Sequence, residues 1–172
     1  MSFTMNDTTA KVYAPGYFLA HEECVRETRE LAQNSALVVT KADGSKYIPM
    51  GSAYPTNDGN AIGIVYEDVD VSAGNMPGSV VTRGEVYEDR LAITGESYDA
   101  VTPVGTENPS EEGWYERSGS AGSYVYTLTT DTTVDSEKTY YARSLVRLAS
   151  AAKTALAALG FKFKTEPTIT RP

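Results

Sequence analysis

The 172-residue sequence contains only one cysteine, one histidine and one tryptophan. Because an intramolecular disulfide needs two cysteines, Cys24 cannot form one, and the sequence is not built for an oxidising compartment. A serine triad would have to use His21, and the chain has no Gly-x-Ser-x-Gly nucleophile turn. We therefore expect neither enzymatic activity nor a bound cofactor.

Basic residues and long apolar runs are also scarce. Fifteen Lys and Arg residues stand against 23 Asp and Glu residues, a net charge of −8, which argues against a nucleic-acid partner because phosphate binding requires a basic face. No run of about 18 apolar residues is present, and residues 1–7 lack the basic start and apolar core of a signal peptide. We expect no membrane partner, and synthesis and folding in the cytoplasm.

Two short motifs match metal sites only in part. His21 to Cys24 brings one histidine and one cysteine together with two glutamates, but zinc needs three or four ligands. The stretch beginning at Asp68 starts like a calcium loop, yet Ala73 stands where glycine is needed and Ser79 where a bidentate glutamate is needed. We expect neither motif to bind a metal.

The residues present in quantity favour strands and turns, including 12 tyrosines, 14 glycines and 8 prolines. The central example is the stretch from Asn60 to Leu91. Ala61 to Tyr66 is a β-branched and aromatic run typical of a buried strand, Ser72 to Gly78 is a cluster of turn residues, and Ser79 to Tyr87 resumes the extended pattern. This order predicts two strands joined by a turn.

Two segments before this stretch predict further strands. Ala36 to Thr40 and Tyr47 to Met50 flank a turn centred on Asp43 and Gly44, which is the pattern of a β-hairpin. Glu22 to Leu31 fits either a helix face or a strand, and we favour the strand.

From residue 94 to 139 the composition shifts towards glycine, proline, tyrosine and acidic residues. Alternation with a period of two around Tyr124 to Leu128 contributes to a prediction of three short antiparallel strands. About 50 residues is near the lower limit for an independent core, so we expect this small module to lean on a host domain. Two interpretations stay open for its aromatic residues, which either pack its own core or form an outward stacking surface for a sugar or host-surface ligand. These residues are Trp114, Tyr115, Tyr140 and Tyr141.

Apolar residues from Leu145 to Leu159 recur on one stripe with a period of 3.6, which predicts a helix near the C-terminus. Ser144 is placed to cap its start and Gly160 to end it. Phe161 to Lys164 then alternates, which predicts a short strand with phenylalanine inward. The predicted fold class is mainly β or α+β, a compact β-rich domain with one C-terminal helix, interrupted by a small antiparallel β insertion.

Residues 1–19 are predicted to form an N-terminal arm. Its first eleven residues are polar and show no periodicity. Its aromatic part, Tyr13 to Leu19, contains a Pro-Gly turn and allows two interpretations: a strand that closes onto the core, or an exposed strand that docks onto a sheet edge of a partner.

The order AIGIVYEDVDV, a small polar turn, then SVVTRGEVYEDRL, between Ala61 and Leu91, resembles the central motif of phage head decoration proteins of the lambda protein D type. Asn108 to Glu116 and Asp131 to Tyr141 resemble a small module found in diverse phage virion proteins. The resemblance implies a decoration domain formed by residues 20–93 and 140–172, with a small β module inserted at 94–139.

The function implied by the resemblance is capsid decoration on the outer surface of the virion. Such a protein binds the mature major capsid protein lattice, assembles as a homotrimer and stabilises the shell by mass action. The N-terminal region of the family contacts the capsid, which by position implies contact through Tyr13, Pro15, Gly16, Tyr17, Phe18 and Leu19. The alternative is a carbohydrate- or host-surface-binding module of a head fibre or tail tip, which would bind soluble glycan as an isolated protein.

Overall fold

The computed structural model describes residues 13–104 and 107–166. Its strands, one 3-10 helix and one α-helix confirm the predicted mainly β fold with a C-terminal helix. In chain order the elements are β1 (Val25–Leu31), β2 (Val39–Thr40), β3 (Lys46–Ile48), β4 (Ala53–Tyr54), β5 (Gly63–Val65), β6 (Val69–Asp70), β7 (Met76–Arg83), β8 (Glu85–Tyr87), the 3-10 helix (Glu88–Arg90), β9 (Gly95–Ala100), β10 (Tyr115–Ser118), β11 (Val125–Leu128), β12 (Tyr140–Val146), α1 (Ser150–Ala158) and β13 (Lys162–Lys164).

The chain divides into two compact units. The first unit comprises the described residues up to Ile93 together with those from Arg147 onward, and the second unit is Thr94–Val146. The second boundary therefore lies at residue 146, where the sequence placed it at 139. The reason is that Tyr141 to Val146 pair with β9 and Tyr140 pairs with β10, so residues 140–146 complete the sheet of the second unit.

The first unit is built around an antiparallel sheet with the strand order β1-β7-β5-β4. The two strands predicted between Asn60 and Leu91 are direct neighbours in it, with Ile64 opposite Val81. Strand β7 begins at Met76, inside the predicted turn, because the chain already turns at Gly74, whose φ is +139°. The connection also contains β6, which pairs with β3 in a separate sheet of order β2-β3-β6.

The centre of the β1-β7-β5-β4 sheet, in β5 and β7, is buried on both faces. Val80 and Val81, adjacent on β7, are both fully buried and belong to two different apolar clusters. Because neighbouring strand residues point to opposite faces, each valine fills the core on its own side of the sheet. One cluster also contains Phe18 and Leu156 of α1, so the N-terminal segment and the helix cover the same side.

The hairpin predicted around Asp43 and Gly44 is confirmed, with β2 antiparallel to β3. Gly44 has a φ of +84°, and Asp43 Oδ1 accepts a 2.9 Å hydrogen bond from the Ser45 amide, so the turn uses the chemistry that its sequence indicates. Strand β2 is shorter than the predicted strand from Ala36.

The helix begins later than predicted. Leu145 lies in β12 opposite Glu96, so Ser144 caps no helix, and α1 starts at Ser150 after Ala149, which offers no side-chain cap. Backbone pairing with β9 uses the first residues of the apolar stripe as a strand. The end of the helix is as predicted, since Gly160 has a φ of +95°. Among residues 13–104 and 107–166, no helix has the length and apolar character needed to cross a membrane.

The second unit is a four-stranded antiparallel sheet with the order β11-β10-β12-β9. Three strands were predicted, and the fourth, β9, was missed. Its sequence, GESYDA, carries no apolar alternation, and only Ser97 and Tyr98 are even half-buried. Strand formation there depends on the backbone ladder to β12 and not on burial of an apolar face.

Candidate binding surfaces

The N-terminal segment from Tyr13 is seated on the first unit by backbone hydrogen bonds. The Gly16 amide donates to the Tyr66 carbonyl at 2.9 Å, the Tyr87 amide donates to the Phe18 carbonyl at 2.8 Å, and Leu19 forms an antiparallel bridge with Val86. The segment therefore extends β8 on one side. This arrangement corresponds to the predicted strand that closes onto the core.

The predicted capsid-contact residues differ in accessibility. Phe18 has 0% of its surface exposed, so it cannot contact a partner, which corrects its place in that set. Its burial follows from the apolar cluster that it fills beneath the segment. Gly16, Tyr17 and Leu19 are half-buried, and Tyr13 and Pro15 are exposed. Residues 1–12 of the predicted arm lie outside the described residues.

Arg90, in the 3-10 helix, connects the two ends of the described chain. Its guanidinium carbon lies 4.4 Å from the ring centroid of Tyr17 and 4.5 Å from that of Tyr87, and Tyr17 in turn stacks on Tyr13 with 4.1 Å between centroids. Arg90 also binds both carboxylate oxygens of Glu166. This ion pair lowers the pKa of the Glu166 carboxyl and raises that of the guanidinium. Tyr13, Tyr17 and Glu166 border a groove of about 620 Å³.

A second groove, of about 440 Å³, lies beside Pro15 and Gly16. Arg26 of β1 lines it, with its guanidinium carbon 4.3 Å from the centroid of Tyr66. Among the described residues no carboxylate pairs with Arg26, which is exposed. The contact with the Tyr66 ring places this cation beside the N-terminal segment.

The carboxylate of Glu85, in β8, contacts three side chains: Lys162, Lys164 and His21. Lys162 donates to Glu85 Oε1 at 3.1 Å, Lys164 pairs with Oε2, and His21 Nε2 lies 3.3 Å from Oε2. The ammonium groups of Lys164 and Lys162 lower the pKa of Glu85 to about 2. His21 is thus engaged with Glu85. Among the described residues, no three His, Cys, Asp or Glu side chains are grouped as they would be to hold a metal ion.

The second unit carries a cluster of tyrosines on one face of its sheet, which we call the tyrosine face: Tyr98, Tyr115, Tyr124, Tyr126 and Tyr141. The register sets them there, since residues directly opposite each other in antiparallel strands project to the same side. Tyr115 is opposite Tyr141, and Tyr126 is opposite Arg117.

Four of the five rings of the tyrosine face contact one another, in stacked and edge-on orientations. Tyr98 and Tyr126 are stacked with centroids 3.9 Å apart and an interplanar angle of 4°. Tyr115 meets Tyr98 edge-on, and Tyr141 meets Tyr126 edge-on. Offset and edge-to-face contacts are the arrangements that aromatic quadrupoles favour. These four rings therefore pack on one another, whereas Tyr124 lies beside Arg117 and keeps 42% of its surface exposed.

Two arginines flank these rings in different electrostatic states. Arg143 lies 3.3 Å from Glu96 and donates to the Tyr115 hydroxyl at 3.3 Å, so its charge is already paired. Arg117 lies 4.3 Å from the Tyr124 centroid and 5.0 Å from the Tyr141 centroid. In residues 13–104 and 107–166, Arg117 has no carboxylate partner.

Trp114 and Tyr140 lie on the opposite, buried face of this sheet. They are 7% and 0% exposed, with ring centroids 5.7 Å apart. Two of the four aromatic residues considered for an outward surface therefore pack the unit's own core, as the other interpretation held. Tyr115 and Tyr141 do lie on the tyrosine face, the former half-buried and the latter 6% exposed.

Sequence reasoning did not include Tyr98 or Arg117 in any site. Arg117 is two residues from Tyr115, so a period of two along β10 places both on one face, and this signal was available. Tyr98 could not have been found in the same way, because β9 itself was not predicted.

Comparisons of the chain with protein-family models, with curated proteins and with solved structures gave no match.

Proposed function

We propose that this chain is a phage capsid decoration protein, which binds the outer surface of the mature major capsid lattice as a homotrimer and reinforces it. The proposal is supported chiefly by the stretch that resembles the lambda protein D type. Its two strands pair directly, Ile64 with Val81 and Val65 with Val80, and the N-terminal segment adds to the same stretch at Val86. The resembling residues thus form one structural unit.

The contact surface that we assign includes Tyr13, Pro15 and the exposed part of Tyr17, with Arg26 beside Pro15. Aromatic residues and arginine are the commonest anchors of protein interfaces. Arg26 is already held over Tyr66 and has no carboxylate partner in the described part of the chain. An acidic side chain of the capsid lattice opposite Arg26 would complete a charge-assisted pair.

The mechanism is mass action. A protein that binds the mature lattice and not the immature one stabilises the mature shell by its binding free energy at each site, about 2.7 kcal/mol when its concentration is 100 times Kd. No chemical reaction is needed for this effect.

The test is sedimentation of the purified protein with mature and immature shells that lack decoration. We expect saturable retention on mature shells, with copies arranged in threes around each site in images of the particle, and little retention on immature shells. The double variant Tyr13→Ala/Arg26→Ala should weaken retention about tenfold or more. Equal retention on both shells, or on neither, contradicts the proposal.

The matched control for this variant is Tyr13→Ala/Arg29→Ala. Arg29 lies on the same strand as Arg26, but its charge is paired with Glu27. This control should bind mature shells more tightly than the Arg26 variant. If the two variants bind equally, Arg26 has no part in the contact.

The alternative, a carbohydrate- or host-surface-binding module of a head fibre or tail tip, is favoured by one observation, the tyrosine face of the second unit. Glycan binding by the isolated protein, together with no retention on any shell, would favour this alternative over decoration.

A further inference from the structure

The starting observation is the state of Arg117. Its guanidinium lies over the rings of Tyr124 and Tyr141, and within the described ranges no carboxylate neutralises it. The second unit has nine acidic residues and three basic ones, Arg117, Lys138 and Arg143, a net charge of −6. Lys138 and Arg143 are both paired with glutamate or aspartate. Arg117 is thus a fixed, unpaired cation in an acidic unit.

The position of the Arg117 guanidinium suits the binding of a carboxylate. Rings that lie against the face of a guanidinium leave the N–H groups along its edge free, and these match the two oxygens of a carboxylate. Because the contacts with Tyr124 and Tyr141 already restrict the side chain, less conformational entropy is lost when a ligand binds.

The size of the tyrosine face limits what it can bind. The four strands have four to seven residues. At about 3.3 Å per residue and a spacing of about 4.8 Å, they give an area of about 250–450 Å². A stable protein partner needs about 800 Å² on each side. The face is therefore too small for a protein interface of standard size, whereas two or three sugar rings fit it.

We propose that the tyrosine face binds a glycan that carries a single carboxylated sugar. Arg117 takes the carboxylate, and the hydroxyls of Tyr124 and Tyr126 donate to hydroxyls of the adjoining neutral sugars. A polyanionic glycan is disfavoured by the net charge of −6, since each further carboxylate would meet an acidic unit. The site lies wholly in the second unit and does not depend on the capsid-binding proposal.

The experiment compares two probes by titration calorimetry and by NMR of the Arg117 side chain, with the full chain. One probe is a xylo-oligosaccharide that carries one glucuronate, and the other is the same oligosaccharide without it. We expect the acidic probe to bind about tenfold more tightly. Arg117→Gln should remove this preference.

The matched control is Arg143→Gln, which alters an arginine of the same face whose charge is already paired with Glu96. It should retain the preference for the acidic probe. Fluorescence of Trp114, which is buried on the other face, reports whether each variant is folded.

The proposal is overturned if neither probe binds, if both bind equally, or if the preference survives Arg117→Gln in a folded protein. Binding of an acidic peptide as tightly as the acidic sugar would also overturn it, because the site would then recognise carboxylates without the sugar. A protein that is not retained on shells could still bind the acidic probe, so this experiment tests the glycan proposal independently of capsid decoration.

Discussion

The hydroxyl of Tyr140 donates a 2.7 Å hydrogen bond to Oδ2 of Asp131 inside the second unit. The same hydroxyl accepts a hydrogen bond from the Asp135 amide at 3.1 Å, and Lys138 lies 2.8 Å from the same carboxylate oxygen. Hydrogen bonds from Lys138 and Tyr140 lower the pKa of Asp131. The Asp131–Lys138 loop is thus fixed to a fully buried ring, which gives a small sheet a polar anchor in its core.

Replacing this hydroxyl should destabilise the second unit. Tyr140→Phe removes two hydrogen bonds, the one to Asp131 and the one from the Asp135 amide, each worth about 0.5–1.5 kcal/mol. Denaturant unfolding followed by Trp114 fluorescence measures the change, because Trp114 packs against Tyr140. The control is Tyr124→Phe, at an exposed ring, which should change the free energy of unfolding by less than about 0.5 kcal/mol. Equal midpoints for the two variants would show that the hydroxyl is not an anchor.

Glu85 should make the first unit sensitive to acid. Its pKa falls from 4.5 to about 2 on folding, chiefly through Lys164 and then Lys162. Because the folded pKa is the lower one, the stabilisation is fully present above pH 4.5 and is lost as the pH falls towards 2. Glu85→Gln should lower the melting temperature at pH 7 and have a much smaller effect at pH 2, where the Glu85 carboxyl is about half protonated in the folded state.

The control for Glu85 is Glu22→Gln, at an exposed glutamate that has no ion pair among the described residues. This variant should melt like the natural chain at both pH values. A Glu85→Gln effect of the same size at pH 2 and pH 7 would mean that the loss is not electrostatic.

Gly63 should be far less tolerant of a side chain than Gly59. A Cβ at Gly63 would lie 2.5 Å from both Val80 Cγ1 and the Val81 carbonyl oxygen, whereas a Cβ at Gly59 would meet nothing within 4 Å. Forcing β5 and β7 apart should cost about 1–3 kcal/mol. Hydrogen exchange of the Tyr66 amide, which donates to the Ser79 carbonyl, measures the change between these strands. If Gly59→Ala proves as harmful as Gly63→Ala, close strand contact is not the reason for glycine at 63.

The strands that the sequence predicted correctly are those whose formation depends on residues near one another in the sequence. The run from Ala61 to Tyr66 is buried and strand-forming by composition, and the Asp43-Gly44 turn needs only the residues within it. β9 and the start of α1 depend on a partner distant in sequence. Leu145 fits a helical stripe equally well, and only the β9 ladder, formed with residues about 45 positions earlier, makes it a strand.

For the candidate sites, the sequence predicted which segments are aromatic but not which side chains face outward. The aromatic character of the N-terminal segment and of the inserted unit is evident from composition, but which rings face outward depends on register. A shift of one residue exchanges the two faces of a strand, so Tyr140 and Tyr141, adjacent in sequence, lie on opposite sides of the sheet. The pairing of Arg90 with Glu166 joins residues 76 positions apart, and no local pattern indicates it.

Arg90 should hold the N-terminal segment through its shape as well as its charge. Lysine in its place keeps the charge but cannot bind both oxygens of Glu166 while it lies flat between the rings of Tyr17 and Tyr87. Arg90→Lys should therefore weaken the seating of the segment by about 1–2 kcal/mol, because the contact with the Tyr17 ring and the bidentate pair with Glu166 are both weakened. Faster hydrogen exchange at the Gly16 and Ala20 amides, which donate to Tyr66 and Glu85, measures this loss.

The control for Arg90 is Arg83→Lys, at an exposed arginine of β7 that has neither an aromatic ring nor a carboxylate as partner in the described part of the chain. It should leave exchange at Gly16 unchanged. If charge alone held the segment, Arg90→Lys would behave like this control and only Arg90→Ala would accelerate exchange. The geometry instead predicts that amide exchange at Gly16 is slowest in the natural chain, faster in Arg90→Lys and fastest in Arg90→Ala. Lysine keeps the attraction to Glu166 but loses the planar contact with both rings.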